Sequence, residues 1–482
     1  MPFVLSGNVG SATAATGYDV ANSVRLDGYV SSTRMEATNS SAGSRQIFTF
    51  STWLKRSALD SSTNFQVLYS AVDSGGNERI MFEEDKLTWD FDIAGVDYSV
   101  ETSGRLYRDF SAWYHIVVTK DTTQSTEANR IKMYVNGVQQ TLAEIQLGFP
   151  DRNANGSINM AIEHQLFAQA DGEEFGGYAC ETVLIDGTAY AADSFGEFDS
   201  DSGIWKPIDV SGLTFGTNGF YMNYANSSAL GNDVSGNNND YTTANLAATD
   251  QSTDTCTNNF ATLNVLARRN NPNAYYATFS EGNLKLVGND ATNNGNGFST
   301  MAFNTGKWYC EVKIIDVQGD VYPTPGVIPE NLVASANSPS NAGQIGYVTD
   351  DTVGYGSDGD KLIEDSGSSY GDTYTDNDII GIAIDCDNGA VYFSKNGTFQ
   401  ASGDPTSGAS KTNAAMTFTP SKYYFFGASV YQSTSDVEFN FGAGPPYAIS
   451  SGNTDGDGFG NFEFAVPSGY FALCSKNLAE YG

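Results

Sequence analysis

The chain has 482 residues, a formal net charge of −33, 13% aromatic residues and 51 glycines. Its length exceeds one ordinary core and fits two large domains. A surface so negative repels nucleic-acid phosphates and anionic lipids and excludes both as general partners, and no stretch approaches the roughly 20 apolar residues that would span a bilayer, so no membrane insertion is expected.

Splitting the charge near residue 265 leaves −19 before and −14 after, so the acidity is spread rather than held in a tail. Asn is abundant while Leu and Lys are scarce, which predicts very little helix. The five cysteines (Cys180, Cys256, Cys310, Cys386, Cys474) are too far apart for a zinc knuckle or a CxxC pair and read as buried free thiols.

Residues 1–22, "MPFVLSGNVGSATAATGYDVAN", lack a basic n-region and carry only a four-residue apolar run, so they are not expected to be a signal peptide. From 23 to 190, apolar residues alternate at period two in short runs: "IFTFSTWLK", "FQVLYSAV", "RIMFEE", "KLTWDFDI", "WYHIVVTKD" and "RIKMYVNGVQQ". That is the pattern of antiparallel strands in a sandwich. Asn136-Gly137 supplies the positive φ angles of a tight hairpin.

Residues 191–271 are turn-rich, but Trp205, Phe215, Phe220, Tyr221 and Tyr224 are too many large apolar groups to leave in water. This stretch is expected to be an ordered irregular segment packed on the first domain. From 272 to 482 the strand pattern resumes with "GKWYCEVKIID", "GQIGYVTD", "DIIGIAIDCDNGAVYFSKNGTFQ", "YYFFGASVY", "VEFNFG" and "GYFALC", and Asn396-Gly397 marks a second tight turn. A long polar loop, 318–342, interrupts it. The expectation is an all-β chain of two antiparallel, jelly-roll-like β-sandwiches.

Residues 23–190 resemble a concanavalin A-like or laminin-G-like lectin domain through "SVRLDG", "FTFSTWLK", "WYHIVVTKD" and "RIKMYVNG". Residues 272–482 resemble a SPRY domain through "GKWYCEV", "IGYV", "GDTYTDNDIIGIAIDCDNGAVYFSKNG" and "VEFNFG". The pieces "LIDGTAYAADSFGEFD", "GIWKP", "DVSGNNNDY" and "CTNNFATLN" between them look like tailed-bacteriophage virion proteins. This last resemblance implies a non-enzymatic virion protein, a tail fibre or other external appendage assembled in the host cytoplasm, with 1–22 a candidate virion anchor. Its partners would be other virion proteins and a host-surface glycan or protein, and it would be a homo-oligomer. The alternatives are a capsid or tail decoration protein binding only virion proteins, and a polysaccharide depolymerase.

For the depolymerase, two carboxylates must flank a sugar bond. The nearest same-strand pairs are Asp90 and Asp92, Asp436 and Glu438, and Asp385 and Asp387, spacings that exposed strand faces also produce by chance. His115 and His164, the two histidines, have no partner at metal-ligand spacing. Calcium is the best-motivated cofactor: Asp233, Asn237 and Asp240 in one Gly-containing turn, and Asp455 and Asp457 in another, offer the hard oxygen donors it takes, though such side chains also cap turns. A glycan needs an aromatic platform beside polar groups, for which Trp89 and Tyr355 are the candidates, burial in the sandwich being the alternative.

Overall fold

In the computed structural model the described residues are 4–5, 17–59, 65–73, 76–93, 95–169, 172–267, 270–271, 274–290, 293–318, 321–333, 344–347, 351–433 and 435–482. Most of the candidate anchor 1–22, and much of the loop 318–342, therefore lie outside them. The chain is nearly all β. By contacts it divides into two units, Thr16–Thr257 and Asn258–Gly482, the second also taking in the N-terminal strand Val4–Leu5, which runs parallel to Met301–Ala302.

The first unit is a sandwich of two antiparallel sheets. One sheet runs in the order Val138–Gln139, Ile131–Val135, Trp113–Asp121, Ile47–Arg56, Gly176–Asp186, Ser23–Asp27, Gln251–Ser252, with Phe220–Met222 also on Gly176–Asp186. The other runs Leu142–Gln146, Val96–Thr102, Lys86–Ile93, Gly76–Glu83, Gln66–Asp73, Glu163–Leu166, Arg34–Thr38, Thr242–Ala244. Alternation along each strand sends every second side chain inward. Phe48, Phe50, Ile116, Val118, Ile80, Phe82, Trp89 and Phe91 meet there in one apolar cluster. Lys120 and Glu78 also point inward from opposite sheets, both fully buried, and pair at 2.6 Å beside the Phe91 ring.

The outward face of the first sheet is covered. Trp53, Val117, Cys180, Val183 and Ile185 pack beneath Phe195, Trp205, Val210, Phe215 and Tyr221 of the turn-rich segment. The apolar residues that made that segment too greasy for water thus fill one side of the sandwich.

The second unit has a nine-stranded sheet centred on Lys307–Asp316, flanked by Asp436–Asn440 and Ile379–Asp385, and a six-stranded sheet centred on Tyr424–Tyr431 and Thr324–Pro329. Its inner core joins Trp308, Cys310, Val312, Ile382, Phe393, Phe426 and Phe439. Part of each outward face is apolar and covered: Tyr309, Ala383 and Tyr392 lie under Phe462, Tyr470 and Ala472, and Ile328 and Phe425 lie against Leu332, Val333 and Ile345, while Lys285, Asp436 and Glu438 form a polar cluster on the larger sheet.

Both Asn-Gly turns have the expected backbone. Asn136 and Gly137 sit at φ +49° and +75°, Asn396 and Gly397 at +48° and +79°, the pairing that a two-residue hairpin loop needs.

Candidate functional site

One outward face of the first sandwich carries polar groups, several of them buried. In the sheet holding Lys86–Ile93, the residues Leu87, Trp89 and Phe91 face the core, so Thr88, Asp90 and Asp92 face out. Register places Arg79 and Ser99 on either side of Asp90, and Asn77 and Asp97 on either side of Asp92. Two strands further, Gln165 lies opposite Ser70, which lies opposite Arg79.

Arg79 is the hub. Its guanidinium donates to Asp90 Oδ2 at 2.7 Å, Gln169 Oε1 at 3.2 Å and Glu173 Oε2 at 3.3 Å, and it lies 5.1 Å from the Phe65 ring centre. Three acceptors and a ring hold it in one orientation. At the sheet edge Lys86 donates to Glu101 at 2.7 Å.

Carboxylates outnumber cations here, and the excess shows in their protonation. Burial, then the charge of Asp90, pushes Asp97 up to about 6. Burial also raises Glu83 and Glu173, with Arg79 pulling both back. Four side-chain oxygens of this face, Asn77 Oδ1, Thr88 Oγ1, Asp97 Oδ1 and Gln165 Oε1, are shielded from solvent and have no hydrogen-bond partner among the described residues. Such atoms are costly to leave unpaired, and ordered water is their ordinary partner. Arg79, Asp92 and Glu173 stay partly exposed, whereas the four oxygens lie beneath the surface. Chemically it is an acceptor-rich plane, suited to a neutral molecule with many hydroxyl donors and unsuited to an anion.

The residues singled out from the sequence lie elsewhere. Trp89 has no exposure and donates its indole N–H to Glu78 at 3.2 Å; it is a core ring one position away from the polar face. Tyr355 is also fully buried, among Tyr370, Tyr374 and Phe393, with its hydroxyl donating to the Asp372 carbonyl. Neither ring can stack on a sugar, because strand alternation turned each one inward.

The two aspartate turns do not fit a calcium ion. Asp233 accepts N–H groups from Tyr221 and Ser235 on Oδ1, and the Ser235 hydroxyl and the Asn239 N–H on Oδ2, while Asp240 takes the Asp233 N–H. Asn237 points its amide nitrogen at the carbonyls of Gly216 and Gly219. Asp455 likewise accepts from Asp457 N, Phe459 N, Ala472 N and Asn477 Nδ2, and Asp457 accepts the Tyr481 hydroxyl. Carboxylates already saturated by donors are turn caps. Among the described residues no group of three or more His, Cys, Asp or Glu side chains is placed to hold a metal.

His115 makes a deceptive pair with Ser51, Nε2 to Oγ at 2.9 Å. Trp205 Nε1–H donates to His115 Nδ1 at 2.9 Å, so that nitrogen carries no proton and Nε2 carries it. The imidazole therefore donates to Ser51 and cannot act as its base. Burial drops the ring's pKa to about 3, and the ring stacks on Trp53 at 4.6 Å. Its role is to fasten the covering segment to the sheet. His164 accepts the Asn159 N–H on Nε2, stacks on Tyr69, and is likewise structural.

Comparison with known proteins agrees with this architecture. A profile of the concanavalin A-like lectin/glucanases superfamily matches residues 27–178, and a SPRY domain profile matches residues 307–444. The chain carries a concanavalin A-like domain and a SPRY domain. No curated protein matches it. Among solved structures, a human SPRY domain is similar at 18% identity over 34% of this chain and 94% of its own, with a TM-score of 0.25. The SPRY domain of human HERC1 follows at 15% identity, 37% and 96% coverage and a TM-score of 0.27. A heptameric SAP-like pentraxin from Limulus polyphemus has 12% identity, 36% and 80% coverage and a TM-score of 0.27. The polar face lies on strands inside the concanavalin A-like match.

Proposed function

We propose that this protein is a surface-recognition protein, an external appendage of a bacteriophage particle, whose concanavalin A-like domain binds neutral glycan on the host through the Arg79 face. The observation that carries the reading is a polar sheet face organised around one pinned arginine, with the carboxylates of Asp92 and Glu173 partly exposed beside it. Sugar hydroxyls are donors, and the partly exposed Asp92 and Glu173 carboxylates would accept from them. The excess of carboxylates argues for a neutral ligand over a phosphorylated or sulfated one. The SPRY domain would serve as the companion module toward the particle or a second receptor. The virion assignment rests on the resemblance of the pieces between the two domains.

The test is binding of the full chain to host cells and to polysaccharide extracted from their surface, with competition against infection. Saturable binding that free neutral glycan displaces supports attachment. If the protein binds neither cells nor extract, and instead co-purifies only with structural proteins of a particle, it is a decoration protein and the attachment reading fails. Shortening of the polysaccharide on incubation would make it a depolymerase.

A further inference from the structure

The five cysteines are all free thiols, yet two of them face each other. Cys180 Sγ and Cys256 Sγ are 3.7 Å apart, although 76 positions separate them in the chain. Cys180 sits on Gly176–Asp186 just before an irregularity in its pairing with Ile47–Arg56, opposite Trp53. Cys256 packs against the same cluster and is only partly buried. Both backbones are anchored. Asp254, two residues before Cys256, takes Lys55 Nζ at 2.6 Å and Trp113 Nε1 at 3.2 Å, while its carbonyl takes the Ser23 hydroxyl at 2.6 Å. On the other side Thr257 Oγ1 accepts the Val20 N–H at 3.0 Å.

We propose that Cys180 and Cys256 form a redox staple: reduced where the chain folds, and closed to a disulfide when the protein meets a small-molecule disulfide in an oxidising medium. Closing needs the sulfurs to draw from van der Waals contact at 3.7 Å to about 2.05 Å. Cys256, the less buried of the two, gives up its proton, and its thiolate attacks the small disulfide, forming a mixed disulfide and releasing one small thiolate. Cys180, deprotonated in turn, attacks the Cys256 sulfur, forming the internal bond and expelling the second small thiolate. The two protons pass to the two leaving thiolates, so one disulfide is reduced for the one formed. The ring closed by the bond contains the whole segment that covers the first sheet. The staple would therefore fasten that cover, by way of Cys256, to the strand beneath it, restricting the unfolded chain over a long loop. Burial pushes the Cys256 thiol up, so closing is slow at neutral pH and accelerates as pH rises.

The test incubates the purified full chain with oxidised glutathione at pH 8 and counts thiols in denaturant. The expected result is a fall from five thiols to three, a mass loss of about 2 Da, a linked Cys180–Cys256 peptide, and a melting temperature that rises and returns on reduction. Cys180→Ser and Cys256→Ser should each abolish the mass loss. Should Cys256→Ser fold poorly, the peptide map of the oxidised wild type decides alone. Five thiols persisting in native protein after prolonged oxidation, or a lasting glutathione adduct on Cys256 without closure, would overturn the proposal.

Discussion

The two Asn-Gly turns do the same work in the two sandwiches. Asn136 Oδ1 accepts the His115 N–H at 2.8 Å and Asn396 Oδ1 accepts the Ile379 N–H at 2.8 Å, so each asparagine ties its turn to the start of the neighbouring strand. Each glycine lies beneath an aromatic ring from a later segment: a Cβ on Gly137 would come within 2.3 Å of Trp205, and one on Gly397 within 2.6 Å of Phe464. In both sandwiches, then, a hairpin is roofed by irregular chain that follows it. What differs is the remaining faces. The second sandwich centres its outward polar cluster on Lys285, which pairs with Asp436 and Glu438, whereas the first centres its larger one on Arg79, with three side-chain acceptors. A lysine holds two carboxylates with one ammonium, whereas the planar guanidinium of Arg79 holds acceptors from a strand and from the loop after Leu166, so only the first cluster fixes a loop to its sheet.

The sharpest way to separate the two sandwiches is through their cores. Lys120→Ala strands Glu78 inside the first, which should cost about 3–5 kcal/mol. In calorimetry the first domain's transition should fall steeply and the second's stay in place; equal movement of both would mean that they do not melt as separate units. Next in size, Gly137→Ala and Gly397→Ala each force a left-handed backbone and a ring overlap, an expected loss of about 2–4 kcal/mol apiece in urea titration. A large loss at one turn and none at the other would break the parallel between them.

Protonation offers a third contrast. Burial raises the Glu181 and Glu311 carboxyls, one in each sandwich, to about 7. Since their folded values lie above the unfolded value, the associated stability is full below about pH 4.5 and is lost as pH rises toward 7, on the order of 1–3 kcal/mol each. Glu181→Gln should flatten that decline for the first transition only, and Glu311→Gln for the second only. The smallest effect is expected from Asn136→Ala and Asn396→Ala, each about 1 kcal/mol for a lost backbone tie, read from matched shifts in urea midpoint.

Much of this was legible in sequence because it is local. Period-two alternation marked the strands, and the Asn-Gly pairs marked the turns, since positive φ at two successive positions restricts residue choice so strongly. The crowd of aromatics at 205–224 revealed that their segment must cover something. The site was harder. Alternation says that Trp89 and Asp90 point in opposite directions but not which of them points in, and choosing Trp89 missed the polar face by one residue. Asp90 and Asp92 were visible as a D-x-D spacing, but their neighbours Asn77, Asp97 and Gln169 come from other strands and loops, brought together by register that no local pattern encodes. The aspartates at 233–240 and 455–457 were ambiguous for another reason: a turn cap and a cation ligand use the same side chains, and only the direction of nearby N–H groups tells them apart.

The central claim is that the Arg79 plane binds neutral glycan, and one titration tests it most directly. Calorimetric binding of extracted host polysaccharide is measured for the full chain and for the double variant Asn77→Ala, Asp92→Ala, which removes side-chain acceptors of two partly exposed residues and alters no core contact described above. Affinity at least about tenfold weaker, with the melting temperature held within a few degrees, is the predicted result, about 1.4 kcal/mol of binding free energy. Equal affinity for the two proteins would contradict it.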